Sequence, residues 1–115
     1  MLAIYENEEQ IKAIEPDFEN LAKLEGQGLI VSSPSDDFDF VSRYFCPKYG
    51  INEDPVTGSA HTTLIPYWSN KLNKTILHAK QVSSRGGELF CKNQEQRVLI
   101  AGDAKLYMKG ELKIN

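Results

Sequence analysis

The segment Gly58–Leu72 (Gly-Ser-Ala-His-Thr-Thr-Leu-Ile-Pro-Tyr-Trp-Ser-Asn-Lys-Leu) constrains this chain more than any other. Ala60, Leu64, Trp68 and Leu72 recur every four residues, which places them on one face of an α-helix. Ile65 and Tyr67 widen the apolar surface. A helix that is apolar around much of its circumference belongs inside a structure, not on its surface. Pro66 lies within this span. It removes one N–H and predicts a bend or break near Thr62 and Thr63.

A length of 115 residues fits one domain with enough chain to bury a core around such a helix. The apolar fraction of 41% and charged fraction of 25% are those of an ordinary globular protein. A net charge of −3 argues against wide contact with a phosphate backbone, and so against nucleic acid as a partner. No segment is apolar and long enough to cross a membrane, and the start carries no basic region followed by an apolar run; the cytoplasm is the expected compartment. Cys46 and Cys91 have no metal-ligand spacing. Leu89 and Cys91 share one strand face, so a buried free thiol is expected at Cys91. A Cys46–Cys91 disulfide is the alternative, with nothing else pointing to a secreted, staple-dependent fold.

Along the chain, Met1–Tyr5 reads as a short strand. Asn7 caps a short helix whose first turn holds Glu8 and Glu9. Pro16 interrupts it, and Asp17 restarts a helix with Phe18, Leu21 and Leu24 on one face. Gly26 and Gly28 stop that helix. Gly28–Ser33 reads as a buried strand, and Ser33–Asp37 as a polar turn. Phe38–Phe45 alternates as a strand with two useful faces. After the central helix the chain is β-rich: 76–83, 87–91, 97–101, 104–108 and 111–114 are strand candidates. Arg85-Gly86-Gly87 fits a hairpin turn. The class is α+β.

The acidic loop Glu53–Ser59 delivers the chain onto the start of the apolar helix. The first N–H groups of a helix have no intrahelical partner, and with the dipole they attract a carboxylate or an enolate oxygen. Gly58 lets a ligand approach the backbone, and Ser59 adds a hydroxyl at the same mouth. Asp54 stands five residues before Ser59, close enough to share a small ligand. His61 lies in the first turn, where the positive helix end favours a neutral imidazole. An anion clamp, a holder for an enol-like intermediate and a base are what proton abstraction beside a carboxylate requires. Plainer readings stand beside these. Asp54-Pro55 is equally an N-cap followed by proline at the first helical position, and Thr57 is another cap candidate. Ser59 alone reads as structural, and His61 alone as a helix-surface histidine. His78 reads as structural, and Tyr44-Phe45 and Tyr67-Trp68 as core. Arg43 and Arg85 can bind a carboxylate bidentately, but their default is a solvated surface charge. Ser35-Asp36-Asp37 is a loop with no further metal ligands.

Glu53-Asp54-Pro55-Val56-Thr57-Gly58-Ser59-Ala60-His61, then Leu64-Ile65-Pro66-Tyr67-Trp68, then Gln81-Val82-Ser83-Ser84-Arg85-Gly86-Gly87, resemble the carboxy-terminal half of the phenazine-biosynthesis-like (PhzF-like) isomerases. The closing Arg97-Val98-Leu99-Ile100-Ala101-Gly102-Asp103-Ala104 is similar to that family's ending. The resemblance implies the diaminopimelate-epimerase-like fold, in which two similar domains face each other. Each is a curved, mostly antiparallel sheet wrapped around a central helix, and the active site lies between the two helix N-termini. It implies a cofactor-independent isomerase, using no metal, that moves a proton on a small carboxylic acid. Asp54 and Ser59 fall on the catalytic aspartate and serine, with Gly58, Ala60, His61, Gly86 and Gly87 around the substrate. Related racemases use a cysteine in this loop, and this chain has none between Pro47 and Phe90.

The family's amino-terminal domain, which supplies the acid/base glutamate, is absent from residues 1–115. The chain therefore reads as a single domain equivalent to the second half of a two-domain isomerase. It would work with an amino-terminal half, with a second polypeptide, or as a homodimer through the helix mouth. Alone it is expected to catalyse little, because Glu53, the nearest candidate base, does not match the family's position. The alternative reading is a non-catalytic small-anion-binding or subunit-forming domain.

Overall fold

Strand β3 (Phe40–Cys46) organises the molecule, because both of its faces are covered and three strands pair with it. The computed structural model describes residues 1–115. Before β3 come β1 (Leu2–Ile4), α1 (Glu8–Lys12), α2 (Phe18–Leu21) and β2 (Leu29–Ser33). After it come a 3₁₀ turn at Pro47–Tyr49, β4 (Ile51–Asp54), α3 (Gly58–Leu72), β5 (Ile76–Gln81), β6 (Gly87–Gln94) and β7 (Arg97–Ala101). The sheet order is β1-β2-β3-β5-β6-β7, with β4 off this path on β3. The β1–β2 and β3–β5 pairs are parallel and the other four are antiparallel. The protein is an α+β fold with a mostly antiparallel sheet, as the sequence implied.

One edge of β3 is shared between two strands. β5 runs parallel to it, with Gln81 opposite Ser42. β4 runs antiparallel, with Asp54 opposite Tyr44. The carboxyl ends of β4 and β5 therefore converge on the level of Arg43. Strand β4 lies in what the sequence read as loop; its Ile51 and Asn52 are exposed and carry no apolar alternation.

Helix α3 connects β4 to β5 and lies against the face formed by Ile30, Phe40, Leu77, Ala79, Leu89 and Cys91. Its Ala60, Leu64, Ile65 and Trp68 complete that core. The expected boundaries hold, and the helix runs through Pro66 without a break. On the opposite sheet face α1 and α2 cover Val31, Val41 and Phe45. Asn7 caps α1 by accepting from the Gln10 N–H, and Asp17 caps α2 by accepting from the Asn20 N–H. Cys46 and Cys91 are both buried free thiols; the disulfide alternative is not realised. Burial pushes the Cys91 thiol up to about 11.

The α3 face also carries a polar row. Ser32 stands opposite Ser42, and Ser42 opposite Gln81, all fully buried or nearly so. The indole Nε1–H of Trp68 donates to Ser32 Oγ at 2.9 Å, and Ser32 Oγ donates to the Val41 carbonyl at 2.6 Å. Trp68 also stacks on Phe40 at 5.7 Å between centroids. The tryptophan is thus fixed by a hydrogen bond as well as by packing.

The two strands expected at 104–108 and 111–114 do not form. Residues after Ala101 have no regular structure and are exposed. Leu106, Tyr107, Met108, Leu112 and Ile114 are 78–99% exposed. The apolar alternation is present, but no strand of residues 1–115 pairs with it, and a strand without a ladder partner has nothing to satisfy its backbone.

Two measurements check this arrangement. Trp68→Phe removes the indole N–H and orphans part of the Ser32 site, so unfolding free energy falls by about 1–3 kcal/mol in denaturant titrations followed by circular dichroism. Ending the chain after Asp103 removes only exposed residues and changes unfolding free energy by less than about 0.5 kcal/mol; a larger loss would place the tail against the body.

Candidate functional site

The site forms where β4 and β5 converge at the start of α3. Thr57 is the N-cap residue of α3 by position, but its side chain makes no capping bond. Its hydroxyl instead donates to Asp54 Oδ2 at 2.5 Å. Asp54 accepts that bond and does not cap the helix either. Both capping readings are thereby set aside. Four N–H groups at a helix start lack intrahelical partners. That of Thr57 donates to Gln81 Oε1 at 2.7 Å. Those of Gly58, Ser59 and Ala60 are met by no side chain, and with the dipole they form a positive mouth.

The β5–β6 hairpin braces this mouth. Gln81, fully buried, donates from Nε2 to the Asp54 carbonyl at 2.7 Å and to Thr57 Oγ1 at 3.0 Å. Ser83 Oγ donates to the Pro55 carbonyl at 2.7 Å and accepts from the Gly86 N–H at 3.0 Å. Gly86 turns the hairpin at φ +67°, and a Cβ on Gly87 would stand 2.5 Å from Val56 Cγ2. A side chain at Gly87 would push the hairpin off the acidic loop. A cleft of about 760 Å³ opens beside Gly58 and is lined by Val56, Arg85, Gly86, Gly87, Ala101 at the end of β7 and the following Gly102. An added Cβ at Gly58 would meet nothing within 4 Å.

The structure brings together most of the residues singled out in the sequence. Asp54 is half-buried at the end of β4, and Gly58 and Ser59 are exposed at the mouth. Gly86 and Gly87 share the cleft with Gly58. Ala60 and His61 are buried, so their side chains face the core. His61 is not a surface histidine: it is fully buried, packs 5.9 Å from the Phe40 ring centroid and donates from Nδ1 to the Thr57 carbonyl at 2.7 Å. Burial holds its pKa below the ordinary histidine value, so the imidazole is neutral. His61 Nε2 and Ser42 Oγ are buried without protein partners.

Arg43 departs from its expected role as a solvated charge. Its Nε and Nη2 donate to the two carboxylate oxygens of Glu53 at 2.7 and 2.9 Å, and Nη1 donates to the carbonyls of Ile11 and Ile14. This bidentate pair, on the sheet face opposite α3, ties β4 to α1 and leaves Glu53 engaged. His78 behaves as expected, stacked on Phe90 with Nε2 2.9 Å from Glu88. Gln81 and Ser83 are the participants that the residue-by-residue reading gave no role, and Thr57 was read only as a cap candidate. Only the position of Gln81, a polar residue at the inward face of a strand, signalled anything. No helix is long and apolar enough to cross a membrane.

The buried imidazole gives a pH prediction. A histidine whose folded pKa is lowered is protonated more readily in the unfolded chain. Its contribution to stability is therefore full above about pH 6.5 and is lost as the pH falls below that value. The lowered carboxyls of Glu8, Asp17 and Asp39 act in the lower, carboxylate range. Denaturation at pH 7, 6 and 5 is expected to show falling stability, with a shallower slope in His61→Gln; an identical slope would contradict the assignment.

Known proteins resemble this chain in sequence and in fold. Residues 1–110 match the family described as phenazine biosynthesis-like protein. A Pseudomonas aeruginosa protein named as the uncharacterised isomerase PA3578 is 50% identical over 115 residues, covering 100% of this chain and 44% of that protein. A Halalkalibacterium halodurans protein with a similar name, BH0283, is 46% identical over 93% of this chain and 41% of its own length. A crystal structure of a phenazine biosynthesis PhzF-family protein from Enterococcus faecalis superposes with a TM-score of 0.89 at 53% identity, covering 98% of this chain and 44% of that one. A putative PhzC/PhzF protein from Clostridium difficile gives 0.87 at 43% identity, with the same coverage. The chain spans less than half the length of these relatives. By sequence and by fold, the chain belongs to the phenazine biosynthesis-like (PhzF-like) family, whose relatives include proteins named as isomerases.

Proposed function

We propose that this chain is the carboxy-terminal half of a cofactor-independent isomerase that moves a proton on a small carboxylic acid. In this reading the carboxylate or enolate oxygen of the substrate sits on the N–H groups of Gly58, Ser59 and Ala60. Ser59 hydrogen-bonds the intermediate, and Asp54 orients or shuttles a proton. Gly86 and Gly87 form the opposite wall. The observation that carries the reading is that the start of α3 is left uncapped while Asp54 is fixed beside it. A helix that only needed to be stable would spend Thr57 or Asp54 on its own N–H groups.

The second catalytic group comes from outside these residues. Glu53 is held by Arg43, and Glu88, the one glutamate that lines the cleft, is paired with His78. The exposed apolar residues 106–114 and the greater length of the relatives support a partner half, outside these residues, that supplies an acid/base glutamate. The same engagement of Glu53 supports a second reading, a non-catalytic anion-binding domain. Without the other half, the mouth's face is open to a second copy of the chain. Light scattering at micromolar concentration is then expected to give a dimer mass, and a monomer would contradict that part of the proposal.

Solvent deuterium uptake into a panel of small unsaturated, 2-amino and 2-hydroxy acids tests the chemistry. The chain alone is expected to be slower than its complex with an amino-terminal half by about 10²–10⁴-fold, the scale of one positioned general base. Asp54→Asn with Ser59→Ala is expected to abolish uptake in the complex. Uptake that survives both substitutions removes the site assignment, and carboxylate binding without uptake in the complex favours the second reading.

A further inference from the structure

We infer that Thr57 and Gln81 are positioning residues that lock the orientation of the Asp54 carboxylate and turn Oδ1, its unpartnered oxygen, to meet a ligand. This rests on reading Asp54 as a group that touches the substrate.

The Gln81 amide can sit only one way round. Its oxygen accepts from the Thr57 N–H at 2.7 Å, and its nitrogen donates to the Asp54 carbonyl at 2.7 Å. Rotating the amide by half a turn would set NH₂ against N–H and oxygen against carbonyl. In a fully buried side chain no water relieves either clash. The second proton on Gln81 Nε2 is therefore committed to Thr57 Oγ1 at 3.0 Å.

A hydroxyl has one proton. With Thr57 Oγ1 accepting from Gln81, its own proton points to Asp54 Oδ2 at 2.5 Å. The carbonyl of Thr57 is held in turn by His61 Nδ1. Every polar group of Thr57 is thus engaged in a residue only 5% exposed. The chain of constraint runs Gln81 to Thr57 to Asp54, and its last link holds Oδ2 through one of its lone pairs and so fixes the carboxylate. Oδ1 has no protein partner. Asp54 can then exchange a proton with a ligand, or accept a hydrogen bond from its hydroxyl, at the unpartnered Oδ1 in a fixed orientation.

A stabilising contact alone would lower stability when lost and leave the Asp54 rotamer as it was. The positioning role moves the rotamer. Three-bond couplings from the backbone nitrogen and carbonyl carbon of Asp54 to its Cγ report χ1 by NMR. The native protein and Thr57→Ser, which keeps the hydroxyl, are expected to show the couplings of one staggered rotamer. Thr57→Val, which keeps the branched shape without the hydroxyl, is expected to lose that pattern and give rotamer-averaged couplings. Gln81→Met is read the same way. One fixed rotamer in a folded Thr57→Val protein, or averaged couplings in the native protein, overturns the proposal. Should both substituted proteins fail to fold, the native protein still decides. A slowly exchanging Thr57 hydroxyl proton is expected, and its absence counts against the lock. The rotamer result is independent of deuterium uptake, so failure of the positioning role and failure of the proposed chemistry are separately visible.

Discussion

The convergence of β4 and β5 on one edge of β3 is the constraint on which the site depends. Two strands that run toward each other along the same edge cannot both continue. Their carboxyl ends meet, at Asp54 and Gln81. The backbone groups at such a break need partners. Gln81 supplies them with its side-chain amide, and the Val82 N–H reaches the Ser42 carbonyl at 2.8 Å. The break is therefore closed by specific bonds, and those bonds place Asp54 and Thr57 at the start of α3.

From that point the energetics of the helix and the chemistry of the mouth are linked. Helix α3 owes its stability to burial, with Leu64, Ile65 and Trp68 almost inaccessible in the core. It therefore does not need a side-chain cap, whose usual contribution is about 1 kcal/mol. The polar groups that would have capped it are turned to one another instead. The N–H groups at the mouth are left without side-chain partners, and the core makes capping them dispensable.

Legibility in the sequence followed the physics of each segment. Helix α3 was readable to its boundaries because burial imposes a strong period, and Pro66 did not break it, since an already encased helix tolerates one missing N–H. The short helices were readable from Asn7 and Asp17 because capping is local. Strand β4 was not, because its pairing comes from β3 and its residues carry no alternation. The tail misled in the opposite sense: Leu106, Met108, Leu112 and Ile114 have the composition of strands, but strand formation needs a ladder partner and these residues pair with none. The proximity of the Asp54–His61 and Arg85–Gly87 segments, which form the candidate site, was legible in the sequence. The roles of Thr57, Gln81 and Arg43 were not, since they depend on which strand ends meet in space.

The central claim is that the start of α3 is an open receptacle for a carboxylate. Titrating isotopically labelled protein with acetate, and following the backbone amides, tests it without any assumption about the reaction. The account predicts saturable shifts confined to Gly58, Ser59, Ala60 and the facing Gly86 and Gly87, weakened in Gly87→Ala. Amides at the start of α3 that do not move while others do, or that do not move at all, would contradict it.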